Sequence, residues 1–298
     1  MTVDLRRWRG IFAVMITPFA DDLSIDVDGL RRNTEFLVAS GVDVLVVLGS
    51  EGEFYALTDA ERRLVVETVA ATAHGSVPVV AGVSHPSTTE AVALARHAAR
   101  SGVDAVMATG PYYARVDADG LRTHFSAIAE CGVPTFIYNS PGRVGYGIPP
   151  AQLADLIRSC GLAGAKQAAP DISELADLVV DCGDSAAIVG GAEIAIWPAL
   201  CVGAAGNTAT AASALPGVFR AVWRASRERE LERGQGLYAR MAPLREAYRT
   251  AGGQAAVVKR LCELVGLAGG PPRPPTRRVS GDLDARLRRI VADLKGIA

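Results

Sequence analysis

A small residue followed by glycine recurs along the chain where an amphipathic stretch gives way to a short apolar run. The four junctions are Ser40-Gly41, Ser101-Gly102, Cys131-Gly132 and Cys160-Gly161. This pattern predicts a helix that ends on a left-handed glycine and leads directly into a buried strand. The junction glycines are 61, 30 and 29 residues apart, and His74-Gly75 falls in the longest gap. A repeat of about 30 residues is the size of one βα unit, so we expect a parallel sheet.

Eight apolar runs lack regular polar alternation, as is typical of strands that are covered on both faces. They are Ile11–Ile16, Val42–Leu48, Val77–Val83, Ala105–Thr109, Pro134–Tyr138, Leu162–Lys166, Ala186–Val189 and Gly203–Asn207. Helical patterns separate them, including Val27–Ala39, Asp59–Thr72, Thr88–Arg100 and Asp171–Val180. Before the second of these helices, Thr58 and Glu61 form a capping-box pattern. Eight such units predict an α/β fold of the closed (β/α)8 type, a TIM barrel. A doubly wound open sheet is the alternative, but no G-x-G-x-x-G fingerprint follows the first strand.

The pattern changes near the C-terminus. Residues 1–225 are predicted to form the barrel and residues 226–298 a C-terminal three-helix extension, with helices over 226–250, 253–266 and from Asp282. The segment Gly269–Pro275 is interpreted as a rigid connector, and the alternative is a proline-rich ligand for an SH3-type domain.

Composition excludes several classes of function. The 298 residues carry 31 Lys and Arg against 32 Asp and Glu, and this balance disfavours a nucleic-acid partner. No apolar run approaches the roughly 20 residues of a membrane span, and the charged N-terminus lacks the apolar core of a signal peptide. The five cysteines contain no C-x-x-C pair and the four histidines are scattered. We therefore expect a cytoplasmic protein without a dedicated metal site, and a site built from carboxylates alone is the alternative.

Lysine is rare in this chain. Only Lys166, Lys259 and Lys295 stand among the 31 basic residues. Lys259 and Lys295 are expected on polar faces of helices, whereas Lys166 ends an apolar run at the close of the sixth predicted strand. Burial disfavours the ammonium form, and a neutral amine can attack a ketone to form a Schiff base. Tyr138, which closes the fifth strand, is placed to transfer protons. The alternative is a lysine that pairs with a carboxylate at the barrel rim.

Two further interpretations concern glycine-rich loops. Gly190-Gly191 and the segment Gly203–Gly206 follow strands seven and eight, where many barrels bind phosphate. Glu193 follows at once and no basic residue accompanies them, so a phosphate-binding barrel is the weaker alternative. In the loop Gly49-Ser50-Glu51-Gly52-Glu53 two carboxylates would repel phosphate, and Glu53 is interpreted as a structural carboxylate.

Four ordered motifs resemble the dihydrodipicolinate synthase/N-acetylneuraminate lyase family of Schiff-base aldolases. They are Gly49-Ser50-x-Gly52-Glu53, Pro111-Tyr112-Tyr113, Tyr138-Asn139-x-Pro141-Gly142-Arg143-x-Gly145 and the strand-six Lys166. The resemblance covers essentially the whole chain. It implies a (β/α)8 barrel with a three-helix extension, assembly as a homodimer or homotetramer, a 2-oxo acid substrate and no metal or organic cofactor.

The resemblance also implies residue roles. Lys166 matches the Schiff-base lysine and Tyr138 the proton-transferring tyrosine. Ser50 matches the residue that binds the 2-oxo acid carboxylate and relays protons. Tyr113 matches a tyrosine that reaches across a dimer interface, and Arg143 matches an arginine that receives the carboxylate of the aldehyde. The motif that contains Arg143 is closer to the synthases than to the neuraminate lyases.

Three positions depart from the family pattern. Glu51 replaces a second hydroxyl residue, Gln167 replaces a frequent Glu, and Asn207 stands at a strand end that is usually apolar in the synthases. Ser50, Glu51, Arg143, Gly191 and Asn207 are the expected substrate contacts. The predicted activity is condensation of pyruvate, or a related 2-oxo acid, with an aldehyde. The alternatives are a retro-aldolase or dehydratase of a longer hydroxylated 2-oxo acid, and a non-catalytic relative.

Overall fold

The computed structural model describes residues 8–250 and 253–297, and within these ranges eight parallel strands form a closed barrel. Each strand pairs with the next in chain order from β1 to β8. The strands are β1 (Gly10–Val14), β2 (Val44–Val47), β3 (Val79–Gly82), β4 (Ala105–Thr109), β5 (Thr135–Asn139), β6 (Gly164–Gln167), β7 (Ala187–Gly190) and β8 (Gly206–Ala209). The predicted (β/α)8 barrel is confirmed. Residues 1–7 belong to the charged N-terminus from which a cytoplasmic location was expected. They lie outside the described ranges.

The helices follow the strands as the repeat predicted. They are α1 (Val27–Ala39), α2 (Asp59–Ala73), α3 (Thr88–Arg100), α4 (Ala118–Ala129), α5 (Pro141–Val144), α6 (Pro150–Ser159), α7 (Ile172–Cys182), α8 (Ile196–Cys201) and α9 (Pro216–Arg227). The capping box before α2 is present, because the Thr58 hydroxyl accepts from the Glu61 N–H while the Glu61 carboxylate accepts from the Thr58 N–H. Within the described ranges, no helix has both the length and the apolarity of a membrane span.

The glycine junctions have the backbone that the sequence pattern requires. Gly41 and Gly102 have φ values of +68° and +81°, and Gly132 and Gly161 are also left-handed. At the first junction the Gly41 N–H donates to Val38 O, and the chain then enters β2. A side chain with a Cβ adopts this conformation at a cost, so glycine is favoured wherever a helix must turn directly into a strand.

The eighth strand starts later than predicted, at Gly206 instead of Gly203. Gly203 has φ +94°, and its N–H donates to Leu200 O at 3.1 Å, which closes the turn after α8. Because the chain is still turning at Gly203, pairing with β7 begins at Gly206, opposite Val189.

Four C-terminal helices follow α9: α10 (Leu231–Arg240), α11 (Ala242–Thr250), α12 (Gln254–Leu264) and α13 (Gly281–Leu294). The prediction of one helix over 226–250 is wrong. Residue 226 lies inside α9, Arg229 has a left-handed φ of +60°, and Met241 separates α10 from α11. The boundary between barrel and extension at residue 226 stays a prediction.

The chain divides into two compact units. The first, here called the Lys166 unit, contains the segment that ends at Gly10 and residues Pro78–Thr208. The second, here called the flanking unit, contains Ile11–Val77 and Ala209–Ala298. In the flanking unit β1 pairs with β2 through Phe12 and Val44, and α12 packs on the turn Ser50–Gly52.

The prediction that Lys259 lies on a polar helix face is wrong. Its side chain is 1% exposed, and Lys259 Nζ lies 2.8 Å from Glu53 Oε1. The same ammonium donates to Pro271 O at 3.0 Å and sits 3.8 Å from the centroid of the Phe19 ring. Glu53 is fully buried, as expected of a structural carboxylate.

The proline segment is part of this packing. Arg273 donates its backbone N–H to Glu53 Oε2 at 2.9 Å, and its guanidinium pairs with Glu61 and with Leu23 O. Gly270 has φ +70°, and an added Cβ would stand 1.8 Å from Phe19 O. The segment is therefore a packed connector, and the alternative of a free SH3-type ligand is not supported.

Candidate active site

The two central residues of the predicted site lie on neighbouring strands of the Lys166 unit. In the register of β5 and β6, Tyr138 pairs with Lys166. Lys166 is 4% exposed, and its Nζ lies 4.0 Å from the centroid of the Tyr138 ring. Among the described residues, no hydrogen bond or ion pair of Lys166 Nζ is found. The alternative of a lysine paired with a carboxylate at the rim is therefore contradicted.

The residues that follow this pair face the other side of the sheet, because side chains alternate along a strand. Asn139 pairs with Gln167, and Asn139 Nδ2 donates to Gln167 Oε1 at 2.7 Å. Gln167 Nε2 donates to Glu174 Oε2 at 3.0 Å. The sequence marks Gln167 only as a departure from the family pattern. The strand register connects it to Asn139, since each residue directly follows a member of the central pair.

Tyr113 follows β4 in an unusual conformation. It has φ +74°, a strained value for an aromatic residue, and its side chain is fully exposed at 103% of the reference area. Nearby, the Tyr146 hydroxyl donates to Pro111 O at 2.8 Å and thereby fixes the start of this loop. The structure thus presents Tyr113 outward.

Arg143 lies in the short helix α5, directly after β5. Ser140 O accepts from the N–H groups of Arg143 and Val144, and Gly145 with φ +87° ends the helix. Arg143 is exposed, on the segment that leaves the strand carrying Tyr138.

Ser50 and Glu51 belong to the flanking unit. They form a 3-10 turn, Ser50–Gly52, after β2, which Glu53 ends in a left-handed conformation. The Thr17 hydroxyl, in the segment that follows β1, donates to Gly52 O at 2.7 Å and holds the turn there. Ser50 and Glu51 are 8% and 7% exposed. Glu51 is therefore not turned outward into solvent.

Asn207 does not share a face with Lys166. In the register of β6 to β8, Lys166 pairs with Val189 and Val189 with Gly206, so Asn207 points to the opposite side. A Cβ on Gly190 would stand 2.0 Å from Asn207 Oδ1 and 2.9 Å from Ala199 in α8, which places Asn207 toward the helical layer. The expected contact between Asn207 and a substrate on Lys166 is not supported by this placement.

Gly191 has a packing role. Its N–H donates to Gln167 O at 2.7 Å, and a Cβ would stand 2.5 Å from Ala168 Cβ. The Gly203 N–H is likewise taken by Leu200 O. These glycine N–H groups are engaged by backbone carbonyls, which argues against the phosphate-binding alternative.

Gly191, Gln167 and Asn207 line a cavity of about 340 Å³ that also includes Pro170 and Ala199. Asn207 is completely buried, and its Oδ1 has no hydrogen-bond partner among the described residues. Within the same ranges, no group of three or more His, Cys, Asp or Glu side chains is placed to hold a metal ion.

Comparison with known proteins agrees with this geometry. Residues 7–294 match the Dihydrodipicolinate synthetase family. The 4-hydroxy-tetrahydrodipicolinate synthase of Methanoculleus marisnigri is 34% identical over 96% of this chain and 99% of its own. That of Methanopyrus kandleri is 35% identical over 96% of each chain.

Solved structures show the same fold. A putative dihydrodipicolinate synthetase from Pseudomonas aeruginosa superposes with a TM-score of 0.92 and 28% identity, over 96% of this chain and 99% of that one. A structure described as the first monomeric dihydrodipicolinate synthase variant has a TM-score of 0.91 and 25% identity, over 99% of each chain.

The barrel, the buried lysine and the adjacent tyrosine define a class, the lyases that work through a lysine Schiff base on a (β/α)8 barrel. The chain belongs to the dihydrodipicolinate synthetase family, and the predicted family resemblance is confirmed.

Proposed function

We propose that this enzyme joins pyruvate to an aldehyde through a Schiff base on Lys166, the reaction type of a 4-hydroxy-tetrahydrodipicolinate synthase. The observation that carries the proposal is the Tyr138–Lys166 pair. Lys166 is buried, and its Nζ lies 4.0 Å from the centroid of the Tyr138 ring. No carboxylate among the described residues forms an ion pair with it. The relatives of this name, which span nearly the whole chain, support the same reaction.

The chemistry assigns each group a role. The neutral Lys166 amine attacks C2 of the 2-oxo acid, and the carbonyl oxygen leaves as water when the imine forms. Loss of a proton from C3 gives an enamine, which forms the new C–C bond to the aldehyde carbon. Water then releases the product and regenerates the amine. We assign the proton transfers to Tyr138, binding of the 2-oxo acid carboxylate to Ser50, and binding of the aldehyde's carboxylate to Arg143 by resemblance to the family.

Borohydride trapping tests the proposal. Incubation with pyruvate and borohydride should reduce the imine and add a stable mass to the peptide that contains Lys166. The peptide that contains Lys259 is an internal control, because that ammonium is held by Glu53 and Pro271 O. Absence of an adduct with every 2-oxo acid tried, in folded protein, would contradict the proposal, and so would an adduct on Lys259 alone.

A second candidate, retro-aldol cleavage or dehydration of a longer hydroxylated 2-oxo acid, is favoured by Glu51. A carboxylate is buried at the position where the family commonly uses a hydroxyl. The carboxylates of Glu51 and of a bound 2-oxo acid would repel each other by roughly 4 kcal/mol at about 4 Å and an effective dielectric of 20. Glu51 would therefore suit a substrate that brings a hydroxyl or amino donor to this position.

The substitution Glu51→Thr separates the two candidates. If Glu51 selects hydroxylated substrates, the variant should bind pyruvate more tightly and lose preference for hydroxylated 2-oxo acids. Steady-state kinetics and trapping with both substrate classes measure this change. Unchanged pyruvate binding and unchanged preference would identify Glu51 as a bystander and favour the plain synthase.

We propose that the active unit is a homodimer, or a homotetramer built from such dimers, in which Tyr113 acts on a neighbouring subunit. Its complete exposure and strained backbone support this role. Tyr113→Phe should slow turnover without loss of fold, as measured by kinetics and sedimentation. A fully active monomer at assay concentration would overturn the shared site.

We also propose a cytoplasmic location, since all five cysteines are free.

A further inference from the structure

A chain of amide and carboxylate groups lies directly behind the Tyr138–Lys166 pair. Asn139 Nδ2 donates to Ile148 O at 2.9 Å, and Asn139 Oδ1 accepts from the Ile148 N–H at 3.0 Å. The same Nδ2 donates to Gln167 Oε1 at 2.7 Å, and Gln167 donates onward to Glu174 Oε2 at 3.0 Å. Asn139 and Gln167 are 2% and 3% exposed, so these bonds form in a largely dry environment.

The bonding pattern suits an amide at position 167 and excludes an ionised carboxylate. The side chain must accept from Asn139 at one end and donate to Glu174 at the other, and an ionised glutamate can only accept. A glutamate at this position would place two carboxylates in contact, since the present separation of Gln167 Nε2 and Glu174 Oε2 is 3.0 Å. Such a pair retains a shared proton to higher pH than a single carboxylate does.

We propose that Gln167 is a positioning residue for the Schiff-base lysine. Asn139 and Gln167 each follow a member of the central pair, and their side-chain bond joins β5 to β6 at the level of Tyr138 and Lys166. Glu174, in the first turn of α7, fixes the outer end of Gln167. The amide thereby holds the backbone at Lys166 in register with Tyr138. This inference rests on the proposed function only in that Lys166 carries the chemistry.

Three variants test the role of the amide. Gln167→Glu creates the carboxylate pair. Glu174→Gln is the matched control, because an amide there can still accept from Gln167. The double variant Gln167→Glu/Glu174→Gln reverses the pair and restores every bond, since the introduced carboxylate then accepts both from Asn139 and from the introduced amide. The other acidic group at this helix terminus is the exposed Asp171, which caps α7, accepts from the Ser173 N–H and lines the same cavity as Gln167.

The readouts are kcat, KM and the rate of imine trapping between pH 5 and 9, with Tm as the measure of fold. Gln167→Glu should lower kcat and the trapping rate roughly 10- to 100-fold at pH 8, because small misplacements of a reacting group have effects of this size. The loss should shrink toward pH 5 as the carboxylate pair takes up a proton. The reversed double variant should regain most of the rate and the wild-type pH profile.

Equal rates and pH profiles in wild type and Gln167→Glu would overturn the inference, and so would an equal loss in the single and reversed variants. Failure of the proposed function has a different signature. In that case wild-type protein forms no trapped adduct at all, whereas failure of the positioning role leaves the Lys166 adduct intact in every variant.

Discussion

Two buried lysines occupy similar surroundings and differ in what holds their nitrogen. Lys166 and Lys259 are 4% and 1% exposed, and their Nζ atoms lie 4.0 Å and 3.8 Å from the centroids of the Tyr138 and Phe19 rings. Lys259 Nζ also contacts Glu53 Oε1 at 2.8 Å and donates to Pro271 O at 3.0 Å. For Lys166 Nζ no such partner is found among the described residues.

This difference shows that burial alone does not identify a nucleophile. Burial lowers the pKa of Lys259 to about 8, although the Glu53 carboxylate opposes the change. A perturbed lysine of this kind is often taken as a candidate for catalysis. The Lys259 ammonium is nevertheless paired with the Glu53 carboxylate and hydrogen-bonded to Pro271 O. Lys259 is therefore a structural group that connects α12 to the loop after β2 and to the proline segment. The nitrogen without an acceptor is the one available for covalent chemistry.

The largest expected effect comes from removing the amine at Lys166. In Lys166→Arg the guanidinium stays protonated and cannot attack a carbonyl, so kcat should fall on the order of a thousandfold or more. The free energy of unfolding should also fall, since a permanently charged guanidinium would be buried where Lys166 Nζ has no acceptor among the described residues. Activity assays combined with urea denaturation measure the two quantities. Residual turnover within tenfold of wild type would place the nucleophile elsewhere.

The converse expectation holds for Lys259. Lys259→Met leaves the Glu53 carboxylate buried without its cation and should lower the free energy of unfolding by roughly 3–5 kcal/mol. The double variant Lys259→Met/Glu53→Gln removes both charges and should regain part of this loss. Denaturant unfolding of the three proteins measures the coupling. Wild-type stability in Lys259→Met would show that the ion pair is dispensable.

The two lysines also show where sequence reasoning succeeds and where it stops. The glycine junctions predicted the barrel, which the structure confirms. The rarity of lysine and the apolar run before Lys166 singled it out as a candidate, and its role as the nucleophile stays a prediction. The burial of Lys259 could not be predicted, because its partners Glu53 and Phe19 are remote in sequence. The placement of Asn207 depends on strand parity, and a one-residue difference in register moves a side chain to the opposite face. The bond between Asn139 and Gln167 follows from the register of β5 and β6, which only the folded sheet defines.

The smallest expected effect is a difference between the two units in how their stability changes at acidic pH. His124 in α4 is 1% exposed, its Nδ1 lies 2.9 Å from Thr88 Oγ1, and burial lowers its pKa from 6.5 to about 4, with His85 adding repulsion. Between pH 6.5 and 4 the unfolded chain binds a proton that the folded chain does not, so stability falls as the pH falls through this window. The loss should reach about 3 kcal/mol at most.

In the flanking unit the comparable group is Glu61. The hydrogen bond from Arg273 lowers its pKa from 4.5 to about 2, so its contribution is present above pH 4.5 and is lost only as the pH falls below that value. Hydrogen exchange should therefore show α3 and α4 losing protection at pH 5, before α2 does. In His124→Gln the difference in unfolding free energy between pH 7 and pH 4.5 should be smaller than in wild type. The same pH dependence in both proteins would assign the acid sensitivity to groups other than His124.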